Sequence, residues 1–204
     1  YNGPFRGSKG SALEGGVRVP ALIRWPGRLP TGSRSHLLTH FCDWLPTLAG
    51  MVGVPLPAGL SLDGHNVACR FRGEPGDVPD VRFWQRNRYE PVSRCNAAMR
   101  DGPWKLLWPM RDNADRKEQA DSAFYRHALN GAAHWLMDID RTLPRTSVGP
   151  EHAPKLFNIV LDPGETTNLA ARNPERVERM RERWDAWFKE VIAEWRAARK
   201  QVLH

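Results

Sequence analysis

The groups best placed to do chemistry stand in the first twenty residues, where Arg6, Lys9, Glu14 and Arg18 are interleaved with Gly3, Gly7, Gly10, Gly15 and Gly16. Glycine adopts positive φ without steric cost, so a backbone this rich in it bends tightly and can approach an anion closely. Arg6 and Lys9 can then sit on turns and point at one place, and lysine suits such a place as a compact point charge. The chemistry served would be the binding of an anion and the offsetting of its charge as a group transfers. The same residues also read as a basic, glycine-rich surface loop. Farther along, Arg86, Arg88 and Tyr89 combine charge with an aromatic platform, or form a solvated hairpin.

Other sources of reactivity are sparse. No nucleophile elbow of the Gly-X-Ser-X-Gly type is present. The three cysteines, Cys42, Cys69 and Cys95, are odd in number and far apart, which defines no disulfide framework and predicts buried thiols. The seven histidines show no metal-ligand pair at a recognised spacing. Among the acids, Asp138 with Asp140 and Asp162 with Glu165 are the best clusters, yet each is too sparse for a calcium loop. The second reads better as a turn before a short helix.

These groups must be positioned by surrounding elements. Val19 to Trp25 reads as a strand ended by the Pro26-Gly27 turn. Leu37 to Phe41 reads as a second strand, with Asp43 as N-cap of a helix through Trp44, Leu45, Leu48 and Val52 that stops at Gly53. Prolines and glycines bunch between residues 53 and 80, which predicts a linker and a boundary near residue 78. Beyond it Val81–Gln85, Asn96–Arg100, Trp104–Trp108 and Lys155–Val160 read as strands of a small antiparallel sheet, with Asp101-Gly102 as a hairpin turn. From Asn173 as N-cap and Pro174 as first helical residue, a long helix carries Val177, Met180, Trp184, Trp187, Phe188, Val191 and Trp195 on one stripe. Its other face mixes acids and bases, with Glu175 and Arg179, and Asp185 and Lys189, at i,i+4 spacing. That is a solvated face rather than a nucleic-acid track. Residues 109–153, with Tyr125, His127, His134 and Trp135, read as an insertion that lines a cleft or covers the sheet.

With 204 residues, 41% of them apolar, and nine tryptophans, the chain can build a core of one ordinary domain or two small ones. A formal charge of +7 favours an anionic partner without choosing among a sulfated or phosphorylated substrate, nucleic acid and a membrane surface. No apolar run approaches the ~18 residues of a membrane span. The arginines are scattered, and no nucleic-acid motif accompanies them.

The string from Asn2 to Gly10, then Glu14 to Pro20, then Trp25-Pro26-Gly27, resembles the segment that closes the active site of type I sulfatases. These are the formylglycine-dependent sulfate ester hydrolases of the alkaline phosphatase superfamily. Similarity continues through Phe41–Leu48, Leu62-Asp63-Gly64, Ala98–Leu106, Leu156–Asn158 and Asp162–Ala170, and leaves residues 109–153 and the extreme end outside. The resemblance implies an α/β class, in two parts. Residues 1–77 would be the tail of the superfamily's α/β catalytic domain. Residues 78–204 would form a small α+β carboxy-terminal subdomain, an antiparallel sheet packed by a long helix. The chain would then be the carboxy-terminal part of a longer protein, and the remaining amino-terminal part would be its partner.

By the same resemblance Lys9 matches the lysine that contacts the sulfate group. Arg6 and Arg18 would aim at the same anion, or hold the loop through contacts such as one to Glu14, and Arg86, Arg88 and Tyr89 would face a sulfated sugar. The family makes its nucleophile, formylglycine, from cysteine in a Cys-X-Pro/Ala-X-Arg motif, which none of the three cysteines matches. Cys95 comes nearest, with Ala97 in place but Met99 where arginine is required. The family's calcium ligands, paired aspartates and an Asp-Asn pair, would lie before Tyr1. No metal ligand is therefore assigned in this chain, and the chain alone is expected to be inactive. Family members are commonly periplasmic, secreted or lysosomal. The expected substrate is a sulfated carbohydrate or aryl sulfate. The alternatives are a phosphate or phosphonate monoester hydrolase of the same superfamily, and a non-catalytic module binding acidic polysaccharide or nucleic acid.

Overall fold

A computed structural model describes residues 2–76, 78–87, 91–112 and 148–202. The expectations placed on Arg88, Tyr89, Tyr125, His127, His134, Trp135, Asp138 and Asp140 lie outside the described residues. The chain forms two compact units, Val19–Arg82 and Tyr1–Arg18 with Phe83–His204. The opening segment thus folds with the sheet that begins some sixty residues later rather than with the residues that follow it.

The larger unit is built on a four-stranded sheet of order β1-β2-β3-β4: Val81–Gln85, Ala97–Asp101, Trp104–Trp108 and Lys155–Asn158. β2 with β3 and β3 with β4 pair antiparallel. The β2–β3 register sets Asp101 opposite Trp104, so the two-residue turn is Gly102-Pro103, one position later than the sequence suggests. Gly102 supplies φ +56° at the first central position and proline fixes a negative φ at the second, the pattern of a type II′ hairpin. β4 ends at Asn158, two residues early, because its side-chain carbonyl accepts the N–H groups of Val160 and Leu161 at 3.3 Å and turns the chain.

Alternation along β3 sends Lys105 and Leu107 to one face and Leu106 and Trp108 to the other. All four are buried, so both faces must be covered. On the first face Leu107 joins Ala12, Ala98, Phe157 and Ile159 in one apolar cluster, with Leu13 and Trp84 against it. Ala12 and Leu13 belong to the opening segment, which therefore covers that face. On the other face lies the long helix Pro174–Val202, whose Trp184 ring sits 4.9 Å from that of Trp108. Met180 and Trp184 are buried while Arg179, Arg181 and Glu182 are exposed, as the stripe predicts. Phe83 stacks on Trp187 with ring centroids 4.7 Å apart. Arg183 bonds Asp101 at 2.7 Å, and Arg94 takes Asp185, the residue whose spacing suggested a pairing with Lys189.

In the smaller unit the strands expected over Val19–Trp25 and Leu37–Phe41 do not form. A strand is stable only when a neighbour accepts its ladder of hydrogen bonds, and no described segment of this unit pairs with them. Leu22 is 98% exposed in consequence. Phe41–Asp43 instead make a 3-10 turn leading into the helix Trp44–Val52, which Gly53 ends at φ +73°. Asp43 stands at the N-cap position of that helix, as expected, but its side chain makes no cap hydrogen bond there. Its wholly buried carboxylate accepts the N–H groups of His40 at 2.7 Å and His65 at 2.9 Å, and meets the Arg82 guanidinium at 3.1 Å. His40 caps the 3-10 turn, its ring accepting the Cys42 N–H. The expected linker also contains a short helix, Ala68–Arg72.

Candidate functional site

Lys9 stands at the second position of a Ser8–Ser11 turn closed by a 3.0 Å hydrogen bond from the Ser11 N–H to the Ser8 carbonyl. Gly10, at the third position, takes φ +91°, the value a type II turn demands. The lysine side chain is exposed, and among the described residues its ammonium makes no hydrogen bond or ion pair. A cavity of about 260 Å³ lies beside Gly10, lined in part by Arg6, Asn96, Leu107, Trp108 and Lys155.

Three sets of contacts hold this segment in place. Within it, Asn2 donates to the carbonyls of Gly7 at 2.7 Å and Gly15 at 3.2 Å, and the Gly15 N–H donates to Arg6 at 2.8 Å. The backbone here is so close that a Cβ on Gly16 would lie 2.1 Å from the Ser11 carbonyl oxygen and 2.6 Å from that of Ser8, which explains the paired glycines after Glu14. From β3 comes Lys105, fully buried, with Nζ at 2.9 Å from Glu14 Oε1 and 3.0 Å from Glu165 Oε1. The second contact is an ion pair without good hydrogen-bond geometry. Glu165 accepts the Glu14 N–H at 2.7 Å and is itself held at φ +52° in the turn that Asp162 organises through the N–H groups of Thr166 and Thr167. Two carboxylates on one ammonium leave an excess negative charge, which Arg18 offsets from 3.0 Å on Glu14 Oε2. Burial works to raise the Glu14 carboxyl, but Lys105 and Arg18 together hold it below the usual carboxylate range. The third anchor is the carboxamide of Asn96, which bonds the Gly10 carbonyl at 2.8 Å and the Ala12 N–H at 3.0 Å.

The sequence-derived candidates are distributed as follows. Arg6 is exposed and its guanidinium lies 5.9 Å from the centre of the Phe157 ring. Arg18 is engaged with Glu14 and packed 4.4 Å over Phe5. Arg86 lies against the lysine turn, its Cζ 3.3 Å from where a Gly10 Cβ would be. Lys9, Arg6 and Arg86 are therefore brought to one segment. Sequence reasoning missed Lys105, Glu165 and Asn96. The one available signal was a lysine on a strand face otherwise shared with buried leucine, which requires a buried acid.

Among the described residues no group of three histidine, cysteine or acidic side chains could hold a metal ion, so they do not fit a calcium site. Cys95 is fully buried, and burial, with Asp43 adding, pushes the Cys42 thiol up, so neither has the character of an activated nucleophile. No helix among the described residues is long and apolar enough to cross a membrane.

An antiparallel sheet backed by a terminal helix thus carries a lysine-bearing glycine turn pinned to its other face. The chain is 33% identical over 194 residues to mouse steryl-sulfatase, covering 91% of the chain and 27% of that protein. It is 31% identical over 185 residues to human arylsulfatase A, covering 89% of the chain and 32% of that protein. Among solved structures, Ps i-CgsB superposes with a TM-score of 0.59 at 25% identity over 92% of the chain and 32% of that structure. A Bacteroides thetaiotaomicron protein from a locus for the metabolism of multiple glycosaminoglycans superposes with a TM-score of 0.60 at 22% identity, over 90% of the chain and 32% of that structure. No family model matches. The chain belongs to the sulfatase family, and spans about 30% of the length of the relatives it matches.

Proposed function

We propose that this chain is the carboxy-terminal part of a formylglycine-dependent, calcium-using sulfatase that hydrolyses a sulfated carbohydrate or aryl sulfate, and that Lys9 is its contribution to the catalytic centre. The observation that carries the reading is an ammonium left exposed at the apex of a turn that is fastened on every other side. A preorganised cation costs no reorganisation when charge develops. In sulfate ester hydrolysis a nucleophile adds at sulfur, the bond to the leaving oxygen breaks, and that oxygen takes a proton. Lys9 would hydrogen-bond a non-bridging sulfate oxygen and offset its charge during the transfer. Arg6 and Arg86 would extend the positive field toward the substrate, Arg18 would share in binding through its guanidinium or by holding Glu14, and Arg88 and Tyr89 would contact a sugar.

The nucleophile and metal ligands belong, in this reading, to the remaining amino-terminal part of the same protein. Residues 1–77 would be the end of the α/β catalytic domain and 78–204 the subdomain, with the opening segment as an active-site loop docked on the latter. Exposed Leu22, Phe41, Leu45 and Val52 in the smaller unit support a covering partner.

The test is a parallel assay of the intact protein on aryl sulfate, aryl phosphate and phosphonate monoesters, alongside the 204-residue chain with added calcium. The reading expects sulfate ester turnover by the intact protein and none by the chain. Preferential phosphate turnover would reassign the substrate. Turnover by the chain that Lys9→Ala abolishes would contradict the placement of the nucleophile elsewhere.

A further inference from the structure

Asn96 has no place in the chemistry considered so far, yet it is the residue most completely committed to the lysine turn. It precedes β2, is only 5% exposed, and takes φ +45°, a left-handed conformation that asparagine tolerates better than most residues but that still requires a reason. All of its hydrogen-bonding groups are used. Its side-chain oxygen accepts the Ala12 N–H at 3.0 Å, and its side-chain nitrogen donates to the Gly10 carbonyl at 2.8 Å and to the Arg86 carbonyl at 3.0 Å. Its backbone N–H donates to Pro109 at 3.2 Å and its carbonyl accepts the Arg86 N–H at 3.1 Å.

The bonded groups decide the meaning. Gly10 is the residue after Lys9, and Ala12 directly follows Ser11, the last residue of the same turn. One buried carboxamide therefore fixes the two peptide groups on either side of Ser11, just after Lys9, and the same amide group holds the backbone of Arg86, whose guanidinium lies against Gly10. An aspartate of the same shape could accept from Ala12 but could not donate to the two carbonyls. Lysine itself is long and flexible, so a defined ammonium position depends on a rigid base.

We propose that Asn96 is a positioning residue of the sulfatase centre, setting the turn that presents Lys9. The inference rests on the role proposed above for Lys9. Displacing a catalytic group by about 1 Å can cost on the order of 10²-fold in rate.

The test uses the intact protein and the substitutions Asn96→Gly, Asn96→Asp, Lys9→Ala and Asn96→Gly with Lys9→Ala, assayed on an aryl sulfate. Glycine keeps the positive φ, so it removes the carboxamide without backbone strain. Expected are a kcat lowered ~10–100-fold in Asn96→Gly with KM changed far less, and no recovery in Asn96→Asp. Lys9→Ala and the double variant should be equally slow, since a residue acting through Lys9 has nothing left to position. Amide exchange at Ala12 should accelerate in Asn96→Gly but not in Lys9→Ala. Asn96→Gly with wild-type kcat per folded molecule, or losses that multiply in the double variant, would overturn the positioning role alone. Lys9→Ala with wild-type kcat would overturn the reading of Lys9 on which it depends.

Discussion

Lys105→Met removes the one ammonium that Glu14 and Glu165 share while keeping a side chain of similar length. At 2.9 and 3.0 Å each contact amounts to a gross attraction of ~6 kcal/mol at an effective dielectric near 20. Desolvating three charges offsets most of this, since each buried ion costs several kcal/mol. The substitution loses the attraction and leaves the desolvation, because Glu165 stays buried without its cation and Glu14 keeps only Arg18. Partner removal of this kind typically costs about 3–5 kcal/mol. With Glu165 orphaned and Glu14 still held by Arg18, the expected loss falls within that range, against a total stability of only about 5–15 kcal/mol for a domain. Denaturant unfolding followed by tryptophan emission measures it, because the sheet and its helix carry Trp84, Trp104, Trp108, Trp184, Trp187 and Trp195. A loss under ~1 kcal/mol at pH 7 would refute the view that this ion cluster fastens the opening segment.

Three further outcomes follow from the same geometry. The Glu14 carboxyl is held below its ordinary value, so its stabilising effect is complete above that value, about 4.3, and is lost as the pH falls through the depressed one. Hydrogen exchange of residues 2–18 should therefore be flat with respect to stability from pH 7 to 5 and lose protection on further acidification. Asp43→Asn leaves the buried Arg82 guanidinium without its counter-charge and should cost about 3–5 kcal/mol in unfolding, whereas Asp80→Asn, at an exposed partner of Arg70, should cost under about 1 kcal/mol. Gly16→Ala drives a methyl into the Ser8 and Ser11 carbonyls, so the turn must shift, and kcat of the intact protein on an aryl sulfate should fall about 10²-fold.

The parts that were legible in the sequence are those where local pattern and tertiary demand agree. The stripe of the terminal helix, strand Trp104–Trp108 and the stop at Gly53 each follow from spacing or a single special residue. Val19–Trp25 has strand composition but no pairing partner among the described residues, and propensity without a ladder does not make a strand. Asp43 carries the signature of an N-cap, yet a buried arginine forty residues away claims its carboxylate, a stronger interaction than a cap. At the candidate site Lys9 and the Glu14–Arg18 pair were readable because they are local. Glu165, Lys105 and Asn96 were not, since their partners in the opening segment are separated from them by 84 to 151 residues and asparagine or glutamate on a turn looks like ordinary turn chemistry.

The most direct measurement of the central claim is kcat on an aryl sulfate for the intact protein and its Lys9→Ala variant, with equal folding confirmed by unfolding curves. Loss of one preorganised cation predicts a fall on the order of 10²–10³-fold. A variant within threefold of the parent, on the order of the ~0.6 kcal/mol of thermal energy, would contradict the assignment of this turn to the sulfate group.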